Sequence, residues 1–224
     1  VADVLAGVPS RKAYYPGARD RYQAFVEAHP TAQALSVDAP ETVPWTLIRG
    51  LDAADEGDIC FTTEPFCGVL HEVTLPGKRA ADFLPQAVSF CNDKVWGTLS
   101  CMVIIDSRSR KDPANEAAFQ EALDDLRYGG IGVNVWAGII YGLVSTTWGA
   151  HPGHTLEDVR SGIGVVHNTL MFDKPQKSVV YAPFTIFPKP PWFVTHRLAH
   201  RMGPGLVDME ARPSLWKLPG IVLK

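Results

Sequence analysis

The side chains of this sequence that could do chemistry are four cysteines, seven histidines and one acidic-aromatic turn, Thr63-Glu64-Pro65-Phe66-Cys67-Gly68-Val69. Cys60, Cys67, Cys91 and Cys101 contain no C-x-x-C pair, and nothing has zinc-ligand spacing, so no metal site is expected and the four read as buried thiols. His71-Glu72 is followed by Val-Thr-Leu-Pro, which is not the H-E-x-x-H helix of a zinc protease. A G-x-S-x-G elbow and a P-loop are also missing, which excludes the usual serine-hydrolase and nucleotide-triphosphatase machinery. Ser161-Gly-Ile-Gly164 and Gly129-Gly-Ile-Gly132 resemble pieces of a phosphate loop, but neither completes G-x-G-x-x-G, and both read as tight turns. The Glu64-x-Phe66 turn remains. Its glutamate is either a solvated turn residue or a ligand contact, and its phenylalanine either a core anchor or a flat wall for a ligand.

The elements that must position these residues follow from periodicity. Tyr22, Phe25 and Val26 share a face and Pro30 follows, predicting a helix over about 18–28. Pro44 to Ile48 reads as a strand, Leu51 to Asp58 as an acidic turn, and Ile59 to Thr62 as a short β-type run. Val69, His71, Val73 and Leu75 alternate with Leu70, Glu72 and Thr74, the pattern of a strand with two unlike faces. Phe83, Leu84, Val88 and Phe90 give 79–91 one apolar helical face, stopped by Asn92-Asp93. Leu99 to Ile105 is continuously apolar and β-branched, which predicts a strand covered on both sides. Over 113–127 a helix is expected, with Asp112 as cap, Pro113 at its first position, Phe119, Leu123 and Leu126 on one stripe, and Gly129 beyond its end. Ile131 to Trp136 is a further buried strand. Strands alternating with helices predict an α/β fold with parallel pairing among the later strands.

Read in order, four motifs resemble the C-terminal, catalytic-domain part of the aldehyde dehydrogenase superfamily. They are the E-x-F turn, the helix ending in Asn92-Asp93 with Trp96-Gly97 after it, the strand from Cys101 to Ile105, and the helix leading into Gly130-Ile-Gly-Val133-Asn134. Together they cover about 59–153. The resemblance implies an aldehyde dehydrogenase-like layered sheet with flanking helices over 1–153; from His154 onward the chain does not follow the family, and its own residues predict a helix over about 155–167 and an irregular Pro/aromatic-rich wrapping extension within 154–224. The resemblance also implies that Glu64 contacts the nicotinamide ribose of NAD or NADP and that Phe66 helps place the nicotinamide ring. A carboxylate can accept two hydrogen bonds from a ribose diol, and an apolar ring can lie against the cofactor's reactive end. Asn134 corresponds to a G-x-V-x-N strand near the active-site mouth, and Trp148 either walls the substrate channel or is structural.

The sequence departs from the family where Cys67-Gly68 follows the E-x-F turn in place of Gly-Pro, and where Thr147-Trp148-Gly149 stands near an expected Pro-Phe-Gly-Gly loop. In the family a thiol attacks the aldehyde and a thiohemiacetal passes hydride to the nicotinamide, using a cofactor domain and a glutamate base upstream. Only 63 residues precede Glu64, so the chain is expected to lack the nucleophile and the cofactor domain, to contain no catalytic residue, and to be inactive alone. Its implied partners are an aldehyde, an N-terminal cofactor domain or partner chain, and further copies in a homo-oligomer. The alternative is a non-catalytic α/β subunit or interaction module that kept the packing and lost the chemistry.

Composition limits the rest. With 224 residues, 46% hydrophobic and 20% charged, the sequence is that of an ordinary globular chain, and its thiols fit a reducing, cytoplasmic compartment. No basic stretch followed by an apolar one opens the sequence, which begins with Val rather than Met. Gly129 to Ala150 carries no charge and is long enough to span a bilayer, but its six glycines suit buried strands and turns, so no membrane span is expected. Net charge is -3, yet Asp173 to Lys224 has eight Lys/Arg against three acids. Within it, Lys189 to Arg201 interleaves Trp192 and Phe193 with bases. That reads as a solvated basic helix packed by Trp192 and Leu198, or as a surface for phosphate-rich partners, lipid headgroups or nucleic acid; no RNA- or DNA-binding motif accompanies it, and no nucleic-acid partner is expected.

Overall fold

The strand and helix signals assemble into two three-stranded sheets with helices packed on them, an α/β fold, in a computed structural model that describes residues 1–143, 145–155, 157–158, 160, 176–187, 189–191, 193 and 195–222. The order is α1 (Ala2–Ala6), α2 (Ala18–Ala28), β1 (Gln33–Ala34), β2 (Thr46–Leu51), α3 (Ile59–Thr62), β3 (Val69–Val73), α4 (Ala80–Asp93), β4 (Ser100–Val103), α5 (Pro113–Asp125), β5 (Gly130–Val133), α6 (Ile139–Gly142), β6 (Ser178–Tyr181), α7 (Ala199–Ala211) and α8 (Leu218–Val222). Contacts divide the chain into two units, Val1–Phe184 and Thr185–Lys224. The division falls well after 153 because Ser178–Tyr181, past the change in composition, supplies the third strand of the second sheet. The helix expected over about 155–167 lies mostly outside the described residues, as do Pro188 and Trp192.

In the first sheet β2 is central, antiparallel to β1 and parallel to β3, with α3 in the crossover. Phe25 of α2, Ile48 and Leu51 of β2, and Cys60 and Phe61 of α3 form its core. The expected β-run at Ile59–Thr62 is helical instead. The Asp58 side chain accepts the Cys60 N–H (2.7 Å) and its carbonyl accepts from Phe61 and Thr62, so an N-cap outweighs the β-branched and aromatic composition.

The second sheet is all parallel, in the order β4-β5-β6. α5 begins as its residues dictate, with Asp112 accepting from Ala114 N (2.8 Å) and Pro113 at the first position. Leu84 and Val88 of α4, Phe119, Ala122 and Leu123 of α5, and Ile131 and Val133 of β5 make one core beneath this sheet. Asn92 ties the ends of the two helices, donating to Asp125 O (2.9 Å) and accepting from Arg127 N (2.8 Å). The carbonyls at the end of α5 are met by Lys177, whose ammonium donates to Leu123 O, Asp124 O and Leu126 O at 2.8, 2.6 and 2.8 Å. Glycine at 129 is required by a close approach: a Cβ there would stand 1.8 Å from Gly149 O.

β4 is not covered on both sides. Cys101 and Val103 pack toward the core, but Met102 and Ile104 are exposed on the other face of this edge strand. Among the described residues no helix is long and apolar enough to cross a membrane; within the uncharged 129–150 stretch the described elements are a four-residue strand and a four-residue helix.

Candidate functional site

α3 ends at Thr63 in extended backbone, and Glu64, Pro65 and Phe66 form the turn that feeds β3. Phe66 has φ 45°, a left-handed conformation that is strained for a bulky residue. Glu64 and Phe66, two residues apart, line different hollows. The residues expected to share a cofactor are therefore not brought together.

Glu64 stands at the exposed mouth of a recess of about 250 Å³ whose walls include Cys60, His71, Trp96, Ser100 and Tyr128. Trp96 N–H donates to Phe61 O (2.7 Å) and fixes the far wall to α3. Partial desolvation pushes the Glu64 carboxyl above the usual carboxylate range, and among the described residues its carboxylate has no hydrogen-bond or ion-pair partner. His71 sits on β3 opposite Ile48, its ring edge-on to Phe61 (centroids 6.3 Å). Its Nδ1 is buried without a partner among the described residues, and burial lowers its pKa, so the imidazole is neutral near pH 7. Nothing in the alternating pattern of 69–75 singled out His71, since a strand pattern reports a face and not an unsatisfied atom.

Phe66 packs instead in a hollow of about 330 Å³ with Tyr14, Tyr15 and Trp45. Its ring lies 5.2 Å from that of Tyr15, and the Arg21 guanidinium stands 5.7 Å over it. Asn134 lines neither hollow. At φ 57° it turns the chain after β5, and its amide holds the neighbouring strand end. Oδ1 accepts Ile105 N–H (2.9 Å), Nδ2 donates to Ile105 O (3.0 Å), and its backbone N–H donates to Val103 O (2.9 Å). Trp148 is half-buried, edge-on to Tyr141 and against Gly130, a position that serves packing over β5.

The fold also brings His29 against Asp58 and Cys60, 29 and 31 positions further along the chain. His29, at the end of α2, points Nε2 at Asp58 Oδ2 (3.0 Å), and Nδ1 at Phe25 O (3.0 Å); Cys60 Sγ lies 4.0 Å from both ring nitrogens. The donor set could suit a metal ion, and the order Cys-His-Asp could suit a nucleophile. The geometry favours neither. A sulfur equidistant from both nitrogens lies beside the ring, far from the direction of the Nε2 lone pair, and both nitrogens already have oxygen partners. Burial, aided by Asp58, pushes the Cys60 thiol up to about 12, the reverse of an activated thiolate. The cluster works as a clamp from α2 to the cap of α3. Burial acts to lower the His29 pKa, but the hydrogen bonds to Asp58 and Phe25 outweigh it and hold it above the ordinary value; burial acts to raise Asp58, but the Cys60 N–H and His29 hold it below.

The other thiols are no more reactive. Burial raises Cys67 and Cys91, and pushes Cys101 up to about 12. No protein-family profile matches this sequence, and no curated protein matches it.

Proposed function

We propose that the chain is the C-terminal part of an NAD(P)-dependent aldehyde dehydrogenase-like oxidoreductase, and that it contributes a ribose contact from Glu64 to the floor of the cofactor site. The observation that carries this reading is the Glu64 recess. A carboxylate at the mouth of a hollow, with no partner among the described residues, can accept two hydrogen bonds from a vicinal diol. The parallel order of β2-β3 and of β4-β5-β6, with the turn at the entry of β3, supports an aldehyde dehydrogenase-like layout. A nicotinamide, when bound, supplies the hydride acceptor. The chain's own residues bind and orient; with all four thiols held protonated, the attacking thiol belongs to another part of the enzyme, and this chain alone is expected not to oxidise aldehydes. The reading keeps the ribose contact of Glu64 and gives Phe66 no part in placing the nicotinamide ring, because Phe66 faces the tyrosine-lined hollow.

Titration of the 224-residue chain with nicotinamide mononucleotide, with free nicotinamide as control, tests it. Glu64→Gln is expected to weaken mononucleotide binding about 10- to 100-fold, the worth of hydrogen bonds to a charged acceptor. Binding is also expected to weaken as pH falls through the raised Glu64 pKa, where the carboxyl loses an acceptor. Equal affinity of the variant, or of the free base, would refute the ribose contact.

A further inference from the structure

The C-terminal unit has almost no core of its own. Within Thr185–Lys224 the buried hydrophobic among the described residues is Ile221, packed under α7 where a Cβ on Gly205 would stand 2.9 Å from Ile221 Cγ1; α7 itself buries no residue. A unit of about forty residues with so little burial does not stabilise itself. Its large apolar side chains stand in solvent instead: Phe187 is 95% exposed, Trp216 93% and Leu215 81%. Leu215 and Trp216 are neighbours in a single 3-10 turn, Leu215–Lys217. That turn is fixed in place, because Lys217 donates to Asp208 O and Arg212 O (3.0 and 2.8 Å) and pairs with Asp208 Oδ2 (2.7 Å).

The charge is one-sided. The unit has six Lys/Arg against two acids, net +4, while the rest of the chain carries -7. Asp208 is taken up by Arg212 and Lys217, and among the described residues Lys189, Arg197 and Arg201 have no acidic partner. We propose that this unit is a peripheral docking element for an anionic phospholipid surface, with Leu215, Trp216 and Phe187 entering the boundary between headgroups and acyl chains and the unpaired bases drawn to lipid phosphates. Exposed tryptophan, leucine and phenylalanine in the same unit as Arg and Lys that have no acidic partner among the described residues are the composition of an interfacial anchor. A nucleic acid could stack on Trp216 but would gain nothing from Leu215, whereas a headgroup layer moulds around both. The absence of a spanning helix among the described residues fits attachment at the surface. The inference is independent of what the Glu64 recess binds.

Co-sedimentation of the full chain with vesicles tests it, comparing phosphatidylcholine alone with phosphatidylcholine containing a third phosphatidylglycerol. The chain is expected to sediment with the anionic vesicles only, and high salt to release it. Leu215→Ser with Trp216→Ser should lower the partition at least tenfold, and Arg197→Gln or Arg201→Gln about fivefold each, the worth of one base near a charged membrane. All four side chains are on the surface, so unchanged circular dichroism should accompany the loss. No sedimentation, equal partition onto neutral vesicles, or undiminished binding by the double variant would each overturn the proposal. So would a wild-type chain that self-associates in light scattering through Leu215 and Trp216, which would make this face a protein interface.

Discussion

Replacing Asn134 measures how much of the second sheet hangs on one side chain. Its amide makes two hydrogen bonds to Ile105, a buried residue whose N–H and C=O have Asn134 as their partner. Two such bonds contribute about 1 kcal/mol each, and stranding a buried N–H costs about 1 kcal/mol beyond their loss. Asn134 also has φ 57°, which asparagine tolerates and alanine does not, a further difference of about 1 kcal/mol. Asn134→Ala is therefore expected to cost about 4 kcal/mol, and Asn134→Gly about 3, since glycine loses the bonds but not the conformation. Urea denaturation followed by far-ultraviolet circular dichroism reads both values. Equal losses for the two variants would refute the conformational part, and losses under about 0.5 kcal/mol would refute the latch altogether.

The clamp between α2 and α3 carries a pH signature. His29, whose folded pKa is raised, contributes fully below its ordinary 6.5 and loses that contribution as pH rises through the folded value; Asp58, whose folded pKa is depressed, contributes fully above its ordinary 3.8 and loses it as pH falls through the folded value. The pair is thus expected to stabilise most between 3.8 and 6.5, and His29→Leu should remove about 3 kcal/mol there and flatten the pH dependence seen in denaturation midpoints; an unchanged profile would contradict the pairing. The thiols give a chemical test: with Cys60 raised from 9.0 to about 12, its thiolate fraction at neutral pH falls about a thousandfold, so iodoacetamide should label the native chain far more slowly than the urea-unfolded one. A thiol that labels within seconds in the native state would reopen the search for a nucleophile in this chain.

What was legible in the sequence was what local chemistry decides. α2 runs over Ala18–Ala28 because Tyr22 and Phe25 recur at helical spacing, and α5 starts at Pro113 because Asp112 can cap it. The strand at Val69–Val73, the parallel pairing of the later strands and the α/β class followed from alternation and order. Four-residue segments were not legible. Ile59–Thr62 is too short to show a period, and its conformation is set by one carboxylate at Asp58. A continuous apolar run at Leu99–Ile105 reads the same whether one face or both are covered, so the exposure of Met102 and Ile104 had no local signal. Of the candidate site, the sequence pointed to the E-x-F turn, from which the proposed role of Glu64 starts; the clamp was out of its reach, because it joins residues 29 positions apart through the packing of α2 on α3, and an orphan nitrogen on His71 exists only once the strand is packed.

The separation of Glu64 from Phe66 rests on one backbone angle, and that makes it testable. In extended backbone, residues two apart point to the same side; the left-handed φ of Phe66 breaks this alternation and sends its ring toward Tyr15 and Arg21. Phe66→Gly relieves a strain of about 1–2 kcal/mol and gives up aromatic and cation–π contacts of about 1–2 kcal/mol at a half-exposed site, so stability should change by less than about 1 kcal/mol. Binding then separates the alternatives. If Glu64 alone meets the ribose, Phe66→Gly leaves mononucleotide affinity within about twofold of the wild type while Glu64→Gln weakens it 10- to 100-fold. If Phe66→Gly weakens it as strongly as Glu64→Gln, both residues touch one ligand. The turn must then rearrange on binding, and the two hollows would be parts of one site.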